Sequence, residues 1–319
     1  MATGNANYAT DLAATTIEHW GSGKLANAVY DGVPFIKWLR SGGRDKPFSG
    51  GKVLLEPVMF EGNNTTQSQT AYQEVNNSVQ GGMTNAQFPI ALYTNTIVIS
   101  DLEDSLNSGP EERVDMWEAK VDQAVMGFQV LMNQHAFLDG TASPTDIVGL
   151  AAMVDNSGVY GNINRTGNTY WQASEDPDLT PPAVFSEAAL RTLVNTVSRQ
   201  NSRPTVHWTT QALHEAYESL IVPSLRKEMS NSRAGDLGID YLEYKGAPIF
   251  WDANCQAGIW YTLNDQFIKW RTLRGWDFTM GPPRNPTRQL AKQIICKWAG
   301  QLTSNNPRFL GKISGRTAA

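Results

Sequence analysis

Four histidines, His19, His135, His207 and His214, are the side chains of this 319-residue sequence best suited to proton transfer near neutral pH. His207 and His214 flank the turn between a short apolar run and a helical pattern. Neither has a nucleophile or carboxylate beside it in sequence, so both read as structural. His135 falls on the apolar stripe of a long helical pattern and reads as a satisfied core histidine. Asp101, Glu103 and Asp104 offer the oxygens a hard cation prefers, but their position reads more simply as an acidic cap before a helix. A phosphate loop needs a glycine five residues before its Gly-Lys pair, then Ser or Thr after it. Gly23-Lys24 runs into Leu25 and is preceded by Glu18; Gly51-Lys52 runs into Val53 and is preceded by Lys46. Both fail. Dinucleotide loops, His-Glu-x-x-His helices and Gly-x-Ser-x-Gly elbows are absent from the sequence. The two cysteines, Cys255 and Cys296, are too few and too far apart for a disulfide scaffold or a zinc site. No catalytic, cofactor-binding or metal-binding residue is assigned, and the ten tryptophans read as packing anchors.

What must hold these residues is a chain long enough for one large or two ordinary domains, with an apolar fraction of 41% and only 18% charged residues. The first residues show no basic start followed by an apolar run, and no stretch of about 18 apolar residues suggests a membrane span. The expectation is a soluble, intracellularly made protein. The net charge of −5 hides an asymmetry: from Lys269 onward ten Lys/Arg face Asp277 alone, +9, which leaves −14 for residues 1–268. The basic residues form no dense tract, so they point to subunit contacts before nucleic acid.

Residues 1–50 hold short apolar bursts between glycine pairs: Leu12, Ile17 and Trp20, then Val29, Val33, Phe35, Ile36, Trp38 and Leu39. They read as an arm, with anchors but no core of its own, laid across another surface. Strands are expected at Val53–Phe60, with Pro57 marking an edge, and at Phe88–Ser100. Between them residues 61–87 form a polar excursion too long for an ordinary ordered loop; it is either disordered or a long hairpin held from outside its own domain. A spine helix is expected over Glu111–Leu138, with Val114, Trp117, Val121, Ala124, Phe128, Leu131, His135 and Leu138 on one stripe. At ~1.5 Å per residue it would span about 42 Å. Beyond Gly149 come a helix over Glu187–Arg199, a strand at Thr205–Trp208, and a helix capped by Thr209 or Thr210 with Leu213, Ala216, Tyr217, Leu220 and Ile221 inward. Short strands follow at Ile239–Tyr244, Pro248–Trp251, Gly258–Leu263 and Phe267–Trp270. A buried strand at Leu290–Trp298 precedes the tail.

That order of arm, polar hairpin, spine helix, compact α/β region and returning basic strands resembles the major capsid proteins of tailed bacteriophages. Particular residues carry the likeness: Leu138-Asp-Gly-Thr141, Gly149-Leu150, Tyr160-Gly-Asn-Ile-Asn-Arg165 and Trp171, then the closing Asn306-Pro-Arg-Phe-Leu-Gly-Lys-Ile-Ser-Gly315. The resemblance implies an α+β fold of the HK97 type. It divides the chain into an N-terminal arm (1–50), an extended E-loop with base strands (51–100), a peripheral domain with the spine (101–145), an axial domain (146–265), and returning peripheral strands with the C-terminus (266–319). It implies a non-enzymatic subunit that assembles with itself into hexamers and pentamers around packaged double-stranded DNA. A portal and separate scaffolding and cementing proteins would be further partners, membrane contact is not expected, and assembly would take place in the host cytoplasm. Contacts between subunits are expected at Trp20, Trp38, Glu61, Tyr72, Glu74, Val79, Met83, Arg271, Arg274, Arg284 and Arg288. Some relatives cross-link through an E-loop lysine, whereas residues 61–87 contain none, which implies a non-covalent shell. Two alternatives stand beside this reading: the shell of an encapsulin-like nanocompartment, and an α/β enzyme with its site in 146–265.

Overall fold

Among the described residues, 291–304 form the longest strand, and most of the architecture hangs from its two edges. The computed structural model of the protein describes residues 33–106, 116–177, 183–199, 201–220, 242–287 and 289–318. The first elements are helix α1 (Pro34–Arg40), strands β1 (Val53–Met59), β2 (Met83–Pro89) and β3 (Ala91–Ser100), helix α2 (Asp101–Leu106) and the spine helix α3 (Met116–Phe137). Then come α4 (Leu150–Met153), β4 (Val159–Tyr160), β5 (Ile163–Asn164), β6 (Ser174–Pro177), β7 (Ala183–Val184), α5 (Glu187–Val197), β8 (Val206–Thr209) and α6 (Gln211–Leu220). The chain finishes with β9 (Leu242–Tyr244), β10 (Ala247–Trp251), β11 (Trp260–Leu263), β12 (Ile268–Thr272), β13 (Thr279–Met280), β14 (Ala291–Ser304), β15 (Gly311–Ser314) and β16 (Arg316–Thr317).

The expected strand at Leu290–Trp298 is longer than its apolar run. β14 pairs antiparallel with β3 along one edge, and with β12 and β13 along the other. Gly300, which meets both β3 and β12, has no room for a side chain: a Cβ there would run into the Arg271 carbonyl. The expected single strand Phe88–Ser100 is split. β2 ends at Pro89, which has no N–H to continue a ladder, and the chain passes from the β1 partnership to the β14 sheet at Ile90. Gln301 donates from Nε2 to the Pro89 carbonyl at 3.0 Å and holds that crossing.

The spine lies on the β3 side of this sheet. Asn95 Nδ2 donates to the Ala124 carbonyl at 3.2 Å, and the Phe128 ring meets Phe278 edge-on. Its buried residues are Ala124, Phe128, Met132, Asn133, Ala136 and Phe137, while Leu131 and Leu138 are 43% and 38% exposed. The expected stripe thus holds for the middle turns and shifts round by one residue at the end. There the helix leaves the sheet and meets a second partner: Phe137 packs on Phe35 and Tyr261, and Asn133 Nδ2 donates to both carboxylate oxygens of Asp252 at 2.9 and 3.0 Å. Val114 lies outside the described residues.

The α/β region is built on a six-stranded sheet ordered β6-β15-β11-β8-β10-β9. The two central strands, β8 and β11, are buried on both faces. One face carries α5 and α6, whose Leu190, Leu193, Val194, Val197, Leu213 and Tyr217 pack with Ile249, Trp260 and Ile313. The other face, with Trp208, Phe250 and Tyr261, joins the core under α1 and the spine. Ser186 caps α5 through the Ala189 N–H, and the Thr210 hydroxyl accepts from Leu213 N to cap α6. Leu220 is exposed, and Ile221 lies outside the described residues. The chain end was expected among the peripheral strands, yet β15 sits inside the six-stranded sheet between β6 and β11. Ile313 fills the core under α5, and Lys312 on the opposite side reaches Asp155 and Glu175, both at 3.2 Å.

The region expected as a free arm divides. Residues 33–48 pack on their own molecule: α1 buries Phe35, Ile36, Trp38 and Leu39, and Asp45 and Phe48 bridge to Trp270 and Leu273 of the β12 stretch. The earlier anchors Leu12, Ile17, Trp20 and Val29 lie outside the described residues.

Candidate assembly surfaces

β1 and β2 make a two-stranded ribbon whose pleat sorts its residues cleanly. Leu54, Glu56 and Val58 with Ala86 and Phe88 turn inward, whereas Val53, Leu55, Met59 and Met83 turn to solvent. The last backbone bond across the ribbon runs from Phe60 N to the Gly82 carbonyl at 2.9 Å. Gly82 has φ +121°, and a Cβ there would lie 2.9 Å from the Glu61 carbonyl, so the position demands glycine. Residues 61–82 then extend as turns held by their own short polar bonds, such as Thr65 N to Asn63 Oδ1 and Ser78 N to Asn76 Oδ1. Tyr72 is 101% and Val79 98% exposed, and Glu61 and Glu74 are exposed as well. The excursion has β1 and β2 as its paired base, and residues 61–82 carry no strand of their own. Its tip buries none of its large apolar side chains against its own subunit.

The ribbon's root is fastened. Glu56 is 2% exposed, and its carboxylate takes Lys269 Nζ at 2.6 Å, Thr303 Oγ1 at 3.3 Å and the Arg271 guanidinium at 3.5 Å. Phe60 stacks on Tyr170 with ring centroids 4.6 Å apart. From the other side comes the β4–β5 hairpin, whose turn residues Gly161 and Asn162 both have positive φ. Gly161 accepts from Gln87 N at 2.8 Å and lies so close that a Cβ would sit 2.9 Å from Ala86 and Phe88. This explains the Tyr160-Gly-Asn-Ile-Asn-Arg165 succession. Tyr160 Oη accepts from Ser304 N at 3.1 Å, tying the hairpin to the end of β14.

The residues expected at contacts are thus spread over different environments. Glu61, Tyr72, Glu74, Val79 and Met83 are on the ribbon's end, facing solvent. Arg274 and Arg284 are exposed. Trp38 is a correction: it is 7% exposed, its ring under the Arg44 guanidinium at 4.2 Å and beside Phe35 and Trp208, so its surface is spent within the chain. Arg271 is turned by the alternation of β12 toward its own Glu56. Trp20 and Arg288 lie outside the described residues. The Glu56 cluster escaped the sequence reading, because a single acid among apolar strand residues does not announce three partners more than 200 positions away.

Among the described residues, those suited to chemistry are occupied structurally; His19 lies outside them. His207 is wholly buried, its Nδ1 facing the Thr262 hydroxyl at 3.1 Å and taking the Trp260 indole N–H at 3.4 Å; burial pushes its pKa down to about 3, so it is neutral. Burial also holds His214 below its ordinary value despite Glu218 and Glu215. His135 Nδ1 shares a 2.8 Å hydrogen bond with Tyr93 Oη. Glu103 accepts from Ser100 N while Ser100 Oγ accepts from Leu102 N, a cap on α2 in place of a cation site. Among the described residues no group of three or more His, Cys, Asp or Glu could hold a metal ion, and no helix is long and apolar enough to cross a membrane.

A fastened ribbon, a spine helix across the β14 sheet, and a six-stranded sheet with helices on one face together define the HK97-like fold. No family model and no curated protein matches the sequence. Solved structures do. The capsid asymmetric unit of cyanophage A-1(L) superposes with a TM-score of 0.70 at 17% identity, over 92% of this chain and 95% of that one. The holo-SrpI encapsulin complex of Synechococcus elongatus gives 0.63 at 8% identity, over 97% and 96%. The capsid of the myovirus XM1 gives 0.59 at 8%, over 92% and 95%. The chain shares the fold of these capsid and encapsulin subunits almost end to end.

Proposed function

We propose that this chain is a major capsid protein that assembles with itself into the icosahedral shell of a tailed phage, acting as a structural subunit and not as an enzyme. The observation that carries this reading is the ribbon end, residues 61–82, extended from a fastened root with its aromatic and aliphatic side chains unburied. Such a segment gains partners when it lies on another copy, and a closed shell supplies one to every subunit. Charge supports the same pairing. Residues 53–112 contain no Lys or Arg, whereas the stretch from Lys269 onward carries +9, so Glu61 and Glu74 of one subunit would meet Arg274 and Arg284 of the next. Tyr72, Val79 and Met83 would supply the apolar contact. Packaged DNA, a portal, and scaffolding or cementing proteins would be the other partners in the host cytoplasm and the virion.

The nanocompartment reading shares the fold: the encapsulin subunit superposes at 0.63, between the two phage capsid subunits at 0.70 and 0.59. Size-exclusion chromatography with light scattering on the protein expressed alone, and then with candidate scaffolding proteins from its own source, tests the proposal. Particles of many subunits are expected. A species that stays at 35.2 kDa under all these conditions would overturn it.

A further inference from the structure

We infer that Glu56 sets the direction in which the ribbon leaves the subunit, and thereby the curvature of the assembled shell; this rests on the shell reading above. A carboxylate at 2% exposure between Lys269 and Arg271 is a costly device for stability alone. Desolvating the carboxylate, and in part cations that stay 25% and 23% exposed, offsets much of their attraction, and apolar residues of similar volume often do as well. What a buried ion pair adds is a single allowed geometry. A greasy contact can slide, but a carboxylate that must keep an ammonium at 2.6 Å and a threonine hydroxyl at 3.3 Å cannot.

The position of Glu56 makes that geometry matter. It lies opposite Ala86 in the ribbon, at the level where Gly161 closes on Ala86 and Phe88 from the hairpin side. The ribbon is therefore gripped at both strands: β12 and β14 hold β1 through Glu56, and the β4–β5 hairpin holds β2 where Gly161 accepts from Gln87 N. Past the Phe60–Tyr170 stack and the Phe60–Gly82 bond, the grip ends. The root is a lever keyed to both the peripheral and axial regions, and a few degrees at Glu56 become a displacement of the whole tip. In a shell, that displacement decides where the tip lands on the neighbour and at what angle the two subunits meet.

The test compares Glu56→Gln with the unaltered protein. The substitution keeps the size and one acceptor oxygen, and removes the charge and the second acceptor. A Lys312→Met variant, which breaks an ion pair in the axial sheet away from the ribbon, controls for general loss of stability. Expected for Glu56→Gln are amide exchange over Val53–Met59 faster by about tenfold, with exchange in α5 and β8 unchanged, and particles of broadened or altered diameter by electron microscopy. Lys312→Met should keep the unaltered diameter. If Glu56→Gln does not fold, Lys269→Gln, at a more exposed partner, takes its place with the same outcomes. Folded subunits giving particles with an unchanged diameter distribution would overturn the inference while leaving the shell reading intact. An unaltered protein that forms no particles at all would instead sink the shell reading.

Discussion

Trp171 donates its indole N–H to the Tyr160 carbonyl at 2.9 Å, and the loop that joins them closes around one guanidinium. Arg165, 1% exposed, donates to the carbonyls of Met153 at 2.7 Å, Ala152 at 2.8 Å, and Ser157 and Trp171 at 3.2 Å, with its carbon 5.0 Å from the Tyr160 ring. One side chain thus bonds four carbonyls, those of Met153 and Trp171 in buried contacts, and it shapes the hairpin that grips the ribbon root. Arg165→Met should leave those carbonyls without donors and cost at least about 3 kcal/mol, measured as a lowered urea midpoint. Arg165→Lys should recover only part of the loss, because an ammonium cannot span the fork. Equal stability of all three proteins would contradict the assignment.

Asp252, just past β10, ties the spine to the six-stranded sheet through neutral partners: the Asn133 amide, the Asn254 N–H and the Phe35 backbone. Burial, the largest influence, holds its carboxyl above the ordinary range against those hydrogen bonds. The unfolded chain releases this proton at lower pH than the folded chain does. Stability contributed here is therefore full below the ordinary carboxylate value and falls as pH rises through the raised one. Asp252→Asn cannot ionise, so its unfolding free energy should fall less than that of the unaltered protein across that window. Parallel pH profiles for the two would show that folding leaves the Asp252 carboxyl unshifted.

No lysine lies between Glu61 and Gln87, so the tip has no side-chain amine for an isopeptide bond to a neighbour. Particles boiled in detergent should release a single band near 35.2 kDa. A ladder of higher multiples that survives reducing agent would contradict a non-covalent shell.

Exposed ion pairs are worth only about 0.2–1 kcal/mol each, and they act mainly on encounter rates. Reversing Glu61 and Glu74 to Lys should slow assembly by about tenfold at low ionic strength, with a smaller effect in high salt. Adding Arg274→Glu and Arg284→Glu to the double reversal should restore much of the rate. If the restoring set slows assembly further, the two groups do not face each other.

Much of this architecture was legible where one residue pattern has one physical solution. Leu190, Leu193, Val194 and Val197 could only line one side of a helix, and all four do. The ribbon was visible as a strand, a polar gap and more apolar residues, although only Pro89 marked where the second strand changes sheets. The spine's stripe failed at Leu131 and Leu138 because periodicity records one apolar face, not which of two successive partners covers the helix. Residues 33–48 looked like an arm since short apolar bursts between glycines suit a neighbour's surface as well as one's own core. At the assembly surface, exposure of Glu61, Tyr72 and Glu74 followed from a polar loop. The burial of Glu56 did not, because its partners meet it only after β12 and β14 have been placed.

The account depends above all on residues 61–82 resting on an adjacent copy. Cryo-electron microscopy of particles assembled from the purified protein measures this directly. The predicted result is a closed icosahedral shell in which Tyr72 and Val79 are covered by the neighbouring subunit while the Glu56 root keeps its own Lys269. Particles in which that tip stays in solvent, or folds back onto its own axial sheet, would contradict it.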